Sequence, residues 1–593
     1  MAGAVTTGRT VTDTDVAVVG GGVAGLVVAR DLAAAGVRVV VCEASDTVGG
    51  LLRRGIVAGL DVDLGAESFA TRTDAVAQLA AELDLPTQAP RPGGARLVVA
   101  TRGGTLRVPL PRRTILGIPA DPLAADVVAI IGADAAALAA REGELPAHGD
   151  RGGDLGHGDL GHGDPGPSAF GSGDLGPVDI GPEPSLHDLV ARRLGPLVAA
   201  RLVDPLCRSV YSRPAAQLRL SRVNPALWRA FVAQGSLVRA VAALVPASSG
   251  QDSPRAGAAV AGIVGGMWRL PQALAASASA FGADLRTSTA VTAVTAVTET
   301  EDGFLVHTPG GTTRARRVVV AAGPGAAASL LGTSSIASGS VSGSVSGGDF
   351  PSEGPDAADS SSRGEISSLT AGGGIRIAIA AIDHPGLDVF PVGSGVIVDP
   401  ALETAAKALT HVTAKWEWAR AAARGLHLVR LSARDPQGAG LETAADVARE
   451  VALLTGVDLR PDNVVDVVVQ DWRDAVNDAS AADAEDAGDA QAARFAEDAD
   501  RGILHTGAAA AGTGLASVVP HARALAARLI AEFDPFGSAA PEPGLAADIV
   551  ADLASSPAAD CEPGPAPGSV IEPAPTPPAS RPAPGHRITR SLV

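Results

Sequence analysis

Residues 16–45 read VAVVGGGVAGLVVARDLAAAGVRVVVCEAS, and this stretch decides the fold. Val16–Val19 is a continuous apolar run that enters three glycines, Val23–Ala35 has helical character, and Val37–Cys42 is a second β-branched run. Strand, helix and strand in succession make a βαβ unit with a parallel sheet. The spacing Gly20-x-Gly22-x-x-Gly25 falls where the first strand passes into the helix. Gly20 serves the tight turn, Gly22 lets a pyrophosphate approach the backbone, and Gly25 lets helix and strand pack closely. The helix start offers N–H groups and partial positive charge to the phosphates. Glu43 ends the second strand, with Ala44 beside it, and is placed to accept hydrogen bonds from ribose hydroxyls. A glycine triplet alone in a glycine-rich chain marks only a loop; strand, helix and acidic residue in register make it a dinucleotide site.

Working outward, Leu64–Leu85 reads as a turn and an amphipathic helix carrying Val76, Leu79, Ala80 and Leu83. Leu97–Val99 and Leu106–Val108, split by Arg102-Gly103-Gly104, read as a hairpin. Leu186–Val245 is helical in pattern, and Leu285–Val320 reads as short strands with a Gly310-Gly311 turn. Ile375–Ile382, Val389–Val398, Leu426–Leu431 and Val464–Val469 predict a second sheet. Ile503–Ile530 closes the pattern with a strand, a glycine turn and a helix.

Four stretches lack apolar periodicity: Glu142–Ser185, Gly332–Ser368, Asp478–Asp500 and Asp534–Val593. With these set aside, 593 residues reduce to one large two-domain protein rather than the four domains that length alone suggests. Asp478–Asp500, acidic and alanine-rich, reads as a solvated helix or a disordered loop. His157 and His162 lie in a GDLGHG repeat whose flexible spacing offers no preorganised metal geometry, so no metal is expected.

The net charge of -18, with no concentrated basic face, excludes a nucleic-acid binder. Lys407 and Lys415 are the only lysines, the other basic residues being arginine, so every lysine-dependent mechanism has two candidates. The three cysteines, Cys42, Cys207 and Cys561, have no metal-type spacing and fit a reducing cytosol. The first residues lack a signal-peptide pattern, and the richest apolar window, Leu123–Ala140, carries Asp126 and Asp134. A cytoplasmic protein is expected, with peripheral membrane contact left open.

Six residues past Glu43 come Gly49-Gly50, then Leu51, Leu52 and Arg53, an extension that resembles the amine-oxidase-like FAD flavoproteins. ILHTGAAAAGTGLASVVPHARALAARLI (503–530) resembles the distal flavin-binding segment of that superfamily. Three further segments are similar to bacterial coproporphyrinogen III and protoporphyrinogen IX oxidases: Gly65-Ala66-Glu67-Ser68-Phe69; Leu202–Leu220, with Arg213-Pro214 in place of the usual Gly-Asp; and Gly265–Leu274.

The resemblance implies an α/β fold with a discontinuous Rossmann-like FAD-binding domain in three parts (14–90, 261–331, 471–533). An α+β substrate domain (91–141, 369–470) is inserted, with a helical subdomain at 186–260, disordered insertions at 142–185 and 332–368, and a disordered tail at 534–593. It assigns the pyrophosphate to Gly20, Gly21, Gly22, Val23, Ala24 and Gly25, ribose contact to Glu43 with Ala44 beside it, and passage along the flavin to Gly65, Ala66, Glu67 and Ser68. Val291 would meet the adenine through its backbone, Trp472 would lie near the cofactor, and Thr513, Gly514 and Leu515 would cap the flavin ring. Arg96 would pair with a substrate propionate. The implied chemistry is six-electron oxidation of a porphyrinogen in heme biosynthesis, with O2 as acceptor and H2O2 released. It takes place at the flavin, so no protein acid or base is assigned. The family follows its C-terminal tryptophan with A-x-P-x-Y, which this chain lacks after Trp472. Coproporphyrinogen III is the preferred substrate, and protoporphyrinogen IX stays open. Amine oxidases, desaturases and a flavin-binding scaffold without catalysis are the rivals; the single tyrosine supplies an aromatic amine cage poorly.

Overall fold

The computed structural model describes residues 11–101, 104–144, 183–211, 213–245, 259–296, 303–323, 326–327, 330, 373–434, 440–476 and 484–533. Residues 145–182, 332–368 and 534–593, with His157 and His162, lie outside the described residues. Among the described residues, two seven-stranded sheets organise the fold.

The first sheet is built around β1 (Val11–Val19), α1 (Val23–Ala34) and β2 (Val39–Cys42). β1 pairs in parallel with β2 on one side and with Gly311–Val320 on the other, and Asp284–Arg286 extends the sheet beyond β2. Ile503–His505 joins Gly311–Val320 in parallel, while Phe304–Thr308 and Ala293–Ala296 continue it antiparallel. Val16, Ala17 and Val18 are fully buried, as a strand covered on both faces must be. One face packs against α1, Ala75–Glu82, Arg269–Ala280 and Leu515–Phe533, whose apolar residues share a core with Val16 and Val18.

The second sheet runs in the order Val464–Val476, Gly373–Ile382, His427–Arg434, Ala408–His411, Gly395–Val398, Ala95–Thr101, Gly104–Pro109. All pairings are antiparallel except Gly395–Val398 with Ala95–Thr101. Alternation divides its side chains between two cores. Ala378, Ala380, Val429, Leu431 and Val98 face helix Ala444–Thr455; Ile377, Ile379, Ala381, Leu428 and Trp472 face the hairpin Arg54–Asp63. Helices between Ala125 and Leu244 form a third body around Leu186, Val198, Leu227 and Leu237.

Both edges of the expected 142–185 insertion belong to the folded chain. Glu142 is fully buried, paired with Arg193 at 3.0 Å, and accepts from Ser236 Oγ and the Leu237 N–H at the start of Leu237–Leu244. Glu183 accepts from the Ser221 N–H, and Ser185 caps Leu186–Leu194 through the Asp188 N–H. These groups sit in low-complexity sequence but answer orphan helix N–H donors. Within Asp478–Asp500 the structure shows a helix, Ala484–Arg501, docked by Phe495 stacking on His505 and by Asp498 bonding His505 at 2.8 Å.

Candidate flavin site

The glycine loop is shaped by its own backbone. Gly20 has φ +107°, which a residue with a Cβ rarely adopts, and a Cβ there would lie 2.8 Å from the Ala321 carbonyl oxygen. The Gly21 N–H donates to Glu43 Oε2 at 2.6 Å, and Glu43 Oε1 accepts from the Ser45 N–H at 2.8 Å. A Cβ on Gly25 would overlap the Gly20 carbonyl oxygen, so this glycine lets α1 seat against β1. Gly22 differs from these: its φ is -72° and a Cβ there would meet nothing within 4 Å. The first turn of α1 has neither a capping side chain nor an acidic residue, so no side chain answers its N–H groups. Val23 and Ala24 are buried under it.

Gly49 and Gly50 bring the next segment onto the loop. The Gly49 N–H donates to the Gly21 carbonyl at 2.8 Å, and a Cβ on Gly50 would lie 3.4 Å from the Gly22 Cα. The Glu43 carbonyl accepts from the Thr289 N–H at 2.7 Å, which places Val291, half-buried, close by; Ala44 is exposed. At the C-terminal end, a Cβ on Gly507 would lie 3.7 Å from Ala24 Cβ, so this segment joins the loop too. Thr513 and Gly514 are exposed, Leu515 opens the last helix, and Gly514, at φ +93°, also faces open space.

Gly65–Ser68 is gripped from the second sheet. Trp472 Nε1 donates to the Leu64 carbonyl at 2.9 Å, and the Ala66 N–H donates to the Leu51 carbonyl at 3.0 Å. Arg430 donates to the Gly65 carbonyl at 2.6 Å. Lys415 Nζ pairs with Glu67 at 2.6 Å, and both side chains are nearly buried. Burial alone would raise the Glu67 carboxyl, but the Lys415 ammonium and the Arg430 guanidinium outweigh it and hold it below the usual range. Asp63 accepts from the Met267 and Trp268 N–H groups, each at 2.9 Å, tying the Gly265–Met267 turn to the same segment. Burial pushes Asp63 up to about 7, against those two hydrogen bonds.

The structure thus brings together the expected residues of the glycine loop, Glu43, the 49–50 pair, the 65–68 segment and Trp472, with the 513–515 turn one short helix past Gly507. Arg96 stands apart. It is in register with Val396, which pairs with Leu409 and, through it, Leu431; this series faces helix Ala444–Thr455. Trp472, Arg430 and Thr410 occupy the opposite face of the sheet from Arg96. The hairpin was legible in the sequence; the face its first residue presents depended on a parallel pairing with a strand some three hundred residues away. Asp63, Lys415 and Arg430 were missed. One signal was present: Lys415 is one of two lysines in a chain that otherwise uses arginine.

The open spaces at Gly22 and Gly514, at the starts of two helices that pack side by side, fit an extended phosphate-bearing cofactor. Among the described residues no group of three or more His, Cys, Asp or Glu is placed to hold a metal, and no helix is long and apolar enough to cross a membrane.

Residues 23–338 match the family model described as flavin containing amine oxidoreductase. A coproporphyrinogen III oxidase of Mycobacterium tuberculosis is 32% identical over 215 residues, which is 35% of this chain and 40% of that protein. The chain therefore aligns with well under half the length of that relative. A protein of the same organism, named as a flavin-containing monoamine oxidase, is 41% identical over 106 residues, 18% of this chain and 23% of its own. A solved structure from Exiguobacterium, named as a protoporphyrinogen oxidase, shares the fold with a TM-score of 0.64 at 17% identity, covering 88% of this chain and all of that one. The chain belongs to the flavin-containing amine oxidoreductase family, an oxidoreductase fold whose cofactor is FAD.

Proposed function

We propose that the protein oxidises coproporphyrinogen III to coproporphyrin III, with three O2 reduced to three H2O2 as six electrons leave the substrate. The observation that carries this reading is the 215-residue similarity to coproporphyrinogen III oxidases, about twice the length of the stretch shared with the monoamine oxidase. FAD, when bound, supplies the two-electron acceptor. The chain's own residues bind and orient: the α1 start and Glu43 hold the dinucleotide, and the 65–68 segment, braced by Trp472 and Arg430, forms one wall of the pocket. Protoporphyrinogen IX shares the reacting macrocycle and is the first alternative.

The 41% identity to a monoamine oxidase supports a second reading, amine oxidation. Against it stands the scarcity of aromatic residues, 3% of the chain with one tyrosine, for a cage around an amine. Purified, FAD-loaded protein is to be mixed aerobically with coproporphyrinogen III, protoporphyrinogen IX and a primary-amine series. Porphyrin fluorescence is followed for the first two and peroxide release for all. Coproporphyrin formed fastest supports the proposal. Peroxide from amines alone transfers the protein to the second reading, and bound FAD without turnover of any substrate makes it a scaffold.

A further inference from the structure

Glu67 Oε2, Arg430 Nε, Trp416 Nε1 and Trp418 Nε1 are all buried without a hydrogen-bond partner. The four residues line one cavity, walled on its apolar side by Ile379 and Leu428. The space open to the centre of a water molecule there is about 20 Å³, and a single water needs roughly 10–15 Å³ by that measure. The chemistry of the lining selects the occupant. Asp61 and Asp63 line the cavity as well. The guanidinium and both indoles can only donate, and the Glu67 carboxylate can only accept. An anion would suit the donors but meet these acidic side chains, and a cation would suit Glu67 but meet Arg430. Water both donates and accepts, and leaving such groups unsatisfied in a dry interior is costly.

These side chains also tie the Gly65–Ser68 segment to the second sheet. Glu67 Oε1 receives Lys415 Nζ at 2.6 Å and Thr410 Oγ1 at 3.4 Å, while Arg430 holds the Gly65 carbonyl. Lys415 Nζ lies 5.0 Å from the centre of the Trp416 ring, which fixes the ammonium from a second side. We propose that one internal water bridges Glu67 Oε2 to Arg430 Nε in this cavity, and that Lys415, acting through Glu67, is a positioning residue for the Gly65–Ser68 segment. The second half rests on the reading that this segment runs along the flavin.

The test uses the full chain loaded with FAD. A crystal structure that resolves ordered waters is expected to show one within hydrogen-bond distance of both atoms; a dry cavity, or direct pairing of Arg430 Nε with Glu67, overturns the bridge. Lys415→Met is expected to raise the FAD dissociation constant roughly tenfold and shift the visible band of bound flavin, a coupling of ordinary size between linked sites. Lys415→Arg, which keeps the charge, is expected to stay within about threefold of the parent. Unchanged affinity in Lys415→Met, or equal loss in both variants, overturns the positioning role. Should Lys415→Met fail to fold, Glu67→Gln is read in its place: it keeps the shape, loses the charge, and must show the same rise. These readouts need no substrate, so they stand or fall separately from porphyrinogen oxidation.

Discussion

Replacing Gly22 with alanine separates the cofactor's needs from those of the fold. Its φ of -72° suits any residue and a Cβ meets nothing within 4 Å, so the apo protein should lose less than about 1 kcal/mol, the scale of a poorer helix N-cap. A phosphate oxygen bonded to the loop sits about 2.9 Å from a backbone nitrogen, whereas a methyl group keeps neighbours at roughly 3.5–4.0 Å. The pyrophosphate is therefore pushed back by about 1 Å and loses a charge-assisted hydrogen bond, about 1.5–3 kcal/mol. That corresponds to roughly a 10- to 150-fold rise in the FAD dissociation constant. Thermal unfolding with and without saturating FAD reads both quantities, since the ligand-induced shift falls with affinity. Gly25→Ala is the contrasting variant: its Cβ would overlap the Gly20 carbonyl oxygen and crowd Val18 Cγ1 at 3.1 Å and Ala321 Cβ at 3.2 Å. It should destabilise the apo form by about 3 kcal/mol or more. Parent-like FAD affinity in Gly22→Ala would refute the placement of the pyrophosphate, and apo destabilisation equal to that of Gly25→Ala would refute the open space.

Glu142→Ala should destabilise the protein by about 3 kcal/mol in a denaturant titration, because Arg193 and the helix N–H groups it serves are left unsatisfied; a loss under about 1 kcal/mol contradicts the role. Asp63 is held protonated up to about 7 in the folded chain, whereas the unfolded chain gives up that proton at the ordinary carboxylate value. Stability from this group is therefore full at acid pH, falls as pH rises to about 7, and is level above. The stability of Asp63→Asn relative to the parent should accordingly climb across that interval, and a difference independent of pH argues against it. Arg96→Ala should leave KM for porphyrinogen within about twofold, as expected of a side chain on the remote face of the sheet; a tenfold rise would place Arg96 in the pocket after all.

The parts legible in the sequence share one property: their signal is local. Val16–Val19, the glycine spacing and Val39–Cys42 report a buried parallel strand and a helix start within a few residues. The last glycine turn does the same at Gly512–Leu515. What stayed hidden is non-local. Glu142 and Glu183 look like linker acids until Leu237–Leu244 and Ser221 supply the donors they answer. Glu67 was assigned by motif, but its partner Lys415 is brought in by a different sheet. Ala484–Arg501 carries too little apolar character to declare a packing face, and Phe495 and Asp498 against His505 are what dock it among the described side chains. Arg96 fell to the same limit, since a strand's period is visible locally but its facing is set by its neighbours.

The pairing of Ile503–His505 with Gly311–Val320 orders events during synthesis. The nucleotide unit begins to emerge from the ribosome first and is finished last, because the strand that completes its sheet and the helix bearing Val518, Val519 and Ala522 against α1 are made after nearly everything else. Until then one side of α1 has no cover, and its exposed apolar surface is what chaperones bind. The flavin site therefore cannot close until residues 503–533 have joined the sheet and covered α1.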